Sequence, residues 1–155
     1  MKNLYSKKVY TTFLAFSFYL LFISGCGING PSFTPVNEVP DGKSIVYIYK
    51  SPSAWGKDVY LIRANGIEIT KLKKGGYYPY LADMGVLKLQ AKTLPRIGNL
   101  IGAALGEKAS IDINIEPGRE YYVTITVMAP IRLTTVIKDE ALKQIKKCKK
   151  LPANK

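Results

Sequence analysis

Between Ser44 and Lys138 the chain is a succession of short runs rich in β-branched residues and tyrosine, each closed by glycine or proline. Val86–Lys92 carries the pattern most plainly. Leu87, Leu89 and Ala91 alternate with Lys88, Gln90 and Lys92, a period of two that fits a half-buried strand and no helix. Ile111–Ile115 alternates in the same way. In Tyr121–Met128, Tyr121, Val123, Ile125 and Val127 share one face. Ser44–Lys50 is apolar or aromatic almost throughout, as an interior strand covered on both faces is. Val59–Ala64 and Ile67–Leu72 flank Asn65-Gly66, the two residue types that best tolerate the positive φ of a type I′ turn, so they form a hairpin. Tyr77–Leu81 contains Pro79, which lacks a donor and points to an edge. Leu133–Lys138 is the last run. Seven or eight short strands in about 95 residues predict an antiparallel β-sandwich, immunoglobulin-like or transthyretin-like.

One helix is expected after the strands. Asp139 and Glu140 suit its N-terminus, and Lys146, Lys147, Lys149 and Lys150 its C-terminus. Ala141, Leu142, Ile145 and Cys148 fall on one stripe at helical spacing.

The first 25 residues belong to a different problem. Lys2, Lys7 and Lys8 precede Thr11–Ser24, fourteen uncharged residues. A membrane-spanning helix needs roughly 20 apolar residues, so this is the length of a signal-peptide core; the alternative is an uncleaved anchor. Ordinary signal cleavage wants small residues at −3 and −1, and Ile23 is bulky. Ile23-Ser24-Gly25-Cys26 instead resembles a bacterial lipobox. That resemblance implies a diacylglyceryl thioether on the Cys26 thiol, cleavage before Cys26, and acylation of its new amine. Two signals anchor a protein stably where one is marginal. Gly27 stands where an aspartate would imply inner-membrane retention in enteric-type sorting. The same resemblance therefore implies an outer-membrane lipoprotein facing the periplasm, or the outer face of a single membrane in a Gram-positive host. The expected organisation is a signal peptide over 1–25, a lipidated N-terminus and tether over 26–42, a domain over 43–150 and a tail over 151–155. Three prolines and two asparagines make Gly27–Gly42 read as flexible, with a reach of about 20–25 Å.

The order of these features resembles a family of bacterial lipoproteins known as a domain of unknown function, number two-eight-four-six. The match runs through Ile45-Val46-Tyr47-Ile48-Tyr49-Lys50, the Val59–Gly66 hairpin and the Lys74–Thr93 stretch ending Ala-Lys-Thr. It continues through Glu116, Gly118, Tyr121, Tyr122 and Val123 to Ile145-Lys146-Lys147-Cys148. It covers roughly Lys43–Lys150. Met84-Gly85 stands where the family more often has Pro-Gly, and Leu94–Lys108 is unusually apolar and glycine-rich. The resemblance implies an envelope lipoprotein and brings no activity with it.

Composition narrows the chemistry. The chain has no histidine, which removes Ser-His-Asp and Cys-His triads and His-ligated metal sites. Two cysteines cannot build a Cys-rich zinc module. Gly102–Lys108 is a poor phosphate loop, because its lysine is not adjacent to the second glycine and Ala109 follows. No metal or cofactor is expected, and the chain reads as no enzyme. An acid-dependent hydrolase built from carboxylates assembled in space is the remaining catalytic alternative.

The charge is +12 for the whole chain, and removal of residues 1–25 leaves twenty Lys and Arg against eleven acids, +9. Residues 138–155 hold seven lysines and two acids, among them Lys143, Lys146 and Lys147, and Lys71, Lys73 and Lys74 form a second cluster. Secretion and the lack of a groove-reading motif argue against nucleic acid. The partners such a surface fits are anionic lipid head groups or cell-wall polymers, against the alternative of a merely solvated face. Gly98, Gly102 and Gly106 recur every four residues beside Leu100, Ile101 and Leu105. That spacing offers either a contact surface for an envelope protein or a loop capping the sandwich. If Cys26 is lipidated, Cys148 is left unpaired, either buried on the helix stripe or linked between chains. The tyrosines of the strands, Tyr47, Tyr49, Tyr77, Tyr78, Tyr80, Tyr121 and Tyr122, serve either a core or a stacking platform for sugars. Two functional readings follow: a non-enzymatic binding or assembly module at the periplasmic face, and a ligand-binding lipoprotein that takes anionic lipid or polymer on its lysines.

Overall fold

The computed structural model describes residues 28–94, 106, 108–126 and 130–154. The lipobox residues Ile23, Ser24, Gly25 and Cys26, and Leu100, Ile101 and Leu105 of the glycine-spaced insertion, lie outside the described residues. The elements run β1 Lys43–Lys50, β2 Tyr60–Ala64, β3 Ile67–Leu72, β4 Gly76–Asp83, β5 Gly85–Thr93, β6 Lys108–Ile115, β7 Glu120–Thr126, β8 Arg132–Val136, α1 Lys138–Ile145 and β9 Lys149–Lys150. They form a β-sandwich. One sheet has the order β8-β7-β1-β4-β9 and the other β3-β2-β5-β6.

β1 is the central strand of the first sheet. It pairs antiparallel with β4 and parallel with β7, with Tyr47 opposite Pro79 on one side and Tyr122 on the other. Its two faces serve two cores. Val46 and Ile48 point between the sheets, where they meet Ile62, Leu72, Leu89, Val123 and Ile125. Tyr47 and Tyr49 point to the other side, where Tyr77, Tyr122, Ala141, Ile145 and Cys148 join them under α1. The continuous apolar run of β1 thus follows from burial on both faces.

The Asn65-Gly66 turn has φ of 49° and 86°, both positive as a type I′ turn requires. The Asn65 side chain also accepts a hydrogen bond from the Lys88 amide at 2.9 Å, tying the turn to β5. Pro79 sits in β4 where its missing donor costs nothing. Tyr77, two residues earlier, turns its carbonyl outward to accept from the Leu151 amide at 2.8 Å. By alternation Pro79 faces the same open side, past the end of the short β9.

The structured region is wider at both ends than the sequence suggests. Phe33, Val36 and Val39 of the expected tether pack against the second core. Phe33 meets Tyr47 and Tyr77 edge-on at 5.3 and 5.2 Å, and the Val36 amide donates to the Tyr47 hydroxyl at 2.7 Å. In the expected tail, Leu151 is buried, the Thr70 hydroxyl donates to the Pro152 carbonyl, and the Asn154 amide donates to the Ile69 carbonyl. Residues 151–154 therefore cross from the edge of one sheet to the edge of the other.

The helix is shorter than its charge pattern predicts. It ends at Ile145, and Lys149–Lys150, expected in its last turn, form β9 instead. The Lys147 and Cys148 amides bond back to Gln144 and Ile145, tightening the end of the helix, and the chain then turns to pair with Gly76 and Tyr77. Lysines near a helix C-terminus fit a helix end or a solvent-facing edge strand equally well, and burial of Leu151 decides for the strand.

Candidate functional site

Lys50 closes β1 and is fully buried. An ammonium taken out of water must be compensated. Its Nζ donates to the carbonyls of Gly56 and Asp58 at 3.2 and 3.1 Å and stands 4.8 Å from the centroid of the Tyr60 ring. The lysine thereby fixes the loop between β1 and β2. At its entry the Ser51 and Ser53 hydroxyls lie 2.7 Å apart, and the Ala54 amide donates to the Ser51 carbonyl. Trp55, the only tryptophan of the chain, rides on this loop with 86% of its surface exposed.

The loop abuts the Lys73–Gly75 turn. The Gly75 amide donates to the Lys50 carbonyl at 2.8 Å, and a Cβ on Gly75 would stand 3.8 Å from Pro52. The Gly75 carbonyl in turn accepts from the Lys149 amide at 2.9 Å. Two lysine clusters far apart in sequence, Lys73-Lys74 and Lys146-Lys147-Lys149-Lys150, are brought to one end of the molecule by this ladder. All six side chains are exposed, and Lys71 and Lys143 are exposed nearby in sequence. None of them makes an ion pair among the described residues. Lys149 also donates to the Ser32 hydroxyl at 2.9 Å. Like charges gathered without counterions repel one another and raise the local potential for an anionic surface.

No family model, curated protein or solved structure matches this chain. The site is therefore read from its own residues.

Cys148 lies beneath this end, free and buried. Its Sγ is 3.8 Å from the Lys50 carbonyl and 3.7 Å from that of Gln144. Burial pushes the thiol up to about 12, so no thiolate forms at neutral pH. Of the strand tyrosines, Tyr47, Tyr49, Tyr77 and Tyr122 are buried and Tyr78, Tyr80 and Tyr121 half-buried, the first four as core under α1. Desolvation raises the hydroxyls of Tyr47, Tyr49, Tyr77, Tyr78 and Tyr122. The acids are widely engaged: Glu68, Asp83, Glu116 and Glu120 each face a cation within 2.9 Å. No group of three metal-ligating side chains occurs among the described residues.

The chemistry this end offers is electrostatic attraction from exposed lysines and apolar contact from an exposed indole. Sequence reasoning found the lysines but not their meeting, and it passed over Trp55. An isolated aromatic between Ser-Ala and Gly-Lys-Asp, in a segment with no strand partner, was the available signal.

Proposed function

We propose that this protein is a lipid-anchored envelope protein, held by Cys26 at the periplasmic face of the outer membrane. Its domain is a non-enzymatic binding module that lays its lysine-rich end against anionic lipid head groups. The observation that carries the reading is where the N-terminal segment joins the fold. The Lys150 amide donates to the Pro31 carbonyl at 2.9 Å, Ser32 bridges to Lys149, and Ile28 packs on the first core. Only Gly27 separates Ile28 from Cys26, a reach of about 7 Å. An anchor at Cys26 would hold Lys149 and Lys150 at the membrane surface instead of letting the domain drift at the end of a long tether.

Each lysine near such a surface contributes about 1 kcal/mol. The test uses the chain from residue 26 with Cys26→Ser, mixed with vesicles of phosphatidylglycerol or of phosphatidylcholine. Emission from Trp55 is expected to shift to the blue only with the anionic vesicles, and the shift should vanish as salt rises past the Debye regime. Lys149→Gln and Lys150→Gln should each weaken partitioning about fivefold. Equal binding to both vesicle types, or binding indifferent to salt, would sink the reading. The anchor itself is checked by mass: the mature protein should begin at a Cys26 carrying diacylglycerol and a further acyl chain.

A further inference from the structure

The outer face of the second sheet carries a different set of cations. Alternation along β5 and β6 turns Gln90, Lys92, Lys108 and Ser110 outward, and β2 adds Leu61 and Arg63. The strand register sets Lys92 opposite both Lys108 and Leu61, and Gln90 opposite both Ser110 and Arg63. These residues line a depression of about 310 Å³.

On this face some cations are balanced and others, such as Lys71 opposite Leu61, stand alone. Lys88 stands opposite Asp112, and Arg63 meets Glu68 at 2.6 Å. Lys92 and Lys108 are unlike all of these, because they stand opposite each other. Like charges directly opposite one another destabilise a sheet, and neither ammonium makes a hydrogen bond or ion pair among the described residues. Arg63 adds a second anomaly: with its Nη2 engaged by Glu68, its Nε is buried with no hydrogen-bond partner. A buried donor left unmade is costly. Two unbalanced ammonium groups, an amide and a hydroxyl surround one depression beside the Arg63 side chain, a donor set that suits an oxyanion with several acceptor oxygens.

We propose that this depression binds the phosphoryl group of a ligand, with Lys92 and Lys108 supplying the charge, Gln90 and Ser110 the directed hydrogen bonds, and the Arg63 guanidinium a further positive charge at its wall. The site lies on the opposite sheet from Lys149 and Lys150 and does not depend on the anchoring read above, so either can fail alone. The phosphoryl group can belong to a soluble molecule or to a lipid head group.

The experiment titrates the mature protein, in uncharged detergent, with inorganic phosphate, glycerol 3-phosphate and phosphatidylglycerol micelles, against chloride at constant ionic strength. The readout is the backbone amide shifts of Gln90, Lys92, Ala109 and Ser110. Saturable shifts with phosphate or glycerol 3-phosphate identify a soluble source, and shifts only with the micelles a lipid one; either outcome supports the site. Lys92→Gln and Lys108→Gln should each bind the active probe about tenfold more weakly. Each should also melt at a higher temperature than the parent without phosphate, because the opposed charges are gone. Shifts that follow ionic strength whatever the anion, or variants that keep parental affinity, would overturn the proposal.

Discussion

Lys50 and Cys148 are neighbours in the core with opposite requirements. Lys50 brings a charge inside, where two carbonyls and a ring face are among the groups that meet it. Lys50→Ala should therefore cost about 2–4 kcal/mol in urea unfolding, since it opens a cavity and strands acceptors. The same change should raise the exchange rates of amides in the loop that carries Trp55. Cys148 avoids charge altogether. At pH 8 it should resist thiol reagents in the folded protein and react within the dead time once unfolded. Its thiol and the buried tyrosine hydroxyls all lose protons more easily in the unfolded chain, where they titrate near 9.0 and 10.0. Their contribution to stability is complete below pH 9 and falls as pH rises from there toward 12. Circular dichroism between pH 8 and 12 should show a cooperative loss of structure that coincides with the rise of tyrosinate absorbance. The burial of Cys148 was half-legible in the sequence: the expected helix stripe put it on an apolar face, but it lies three residues past the helix end, and the turn back onto Ile145 is what brings it into the core. Lys50 was not legible at all, since nothing in a run ending Ile-Tyr-Lys tells a buried ammonium from an exposed one.

Elements governed by local chemistry were readable, and elements governed by distant partners were not. The β2–β3 hairpin follows from Asn65-Gly66 alone, and Asn65→Ala should cost about 1–2 kcal/mol because it loses both the favoured positive φ and the bond to Lys88. The alternation of β5 assigned its inner and outer faces correctly residue by residue. β9 is the contrary case. Two lysines carry no strand signal, and they form a strand because Gly76 leaves room for Leu151: a Cβ there would fall 2.6 Å from the leucine Cδ1. The segment over Phe33, Val36 and Val39 was missed for another reason. Its apolar residues recur every three positions, a spacing that neither the strand period of two nor the helical period of 3.6 detects.

At the scale of the molecule, the fold depends on pairings between distant parts of the chain. β1 meets β7 in parallel, with Val46 opposite Tyr121, and the C-terminal segment seals the gap between the sheets. Loss of residues 151–155 should cost about 3–5 kcal/mol through the Leu151 side chain and the bonds of Pro152 and Asn154, measured as a lower midpoint with a similar slope in urea. The meeting of Lys73-Lys74 with Lys146–Lys150 belongs to this scale too. Each cluster was visible as a charge run, but only the ladder through Gly75 shows that they share one surface.

The N-terminal segment and β9 lie side by side, with Pro31 bonded to Lys150 and Ser32 bridged to Lys149, and the chain ends only a few residues further on. An affinity tag or fluorescent fusion appended after Lys155 would start only five residues beyond Lys150 and crowd the lysines it was meant to report on. The exposed Met84-Gly85 turn, at the far end of β4 from its pairing with β9, is the better insertion point, since a label there would project away from the lysines and leave that surface open.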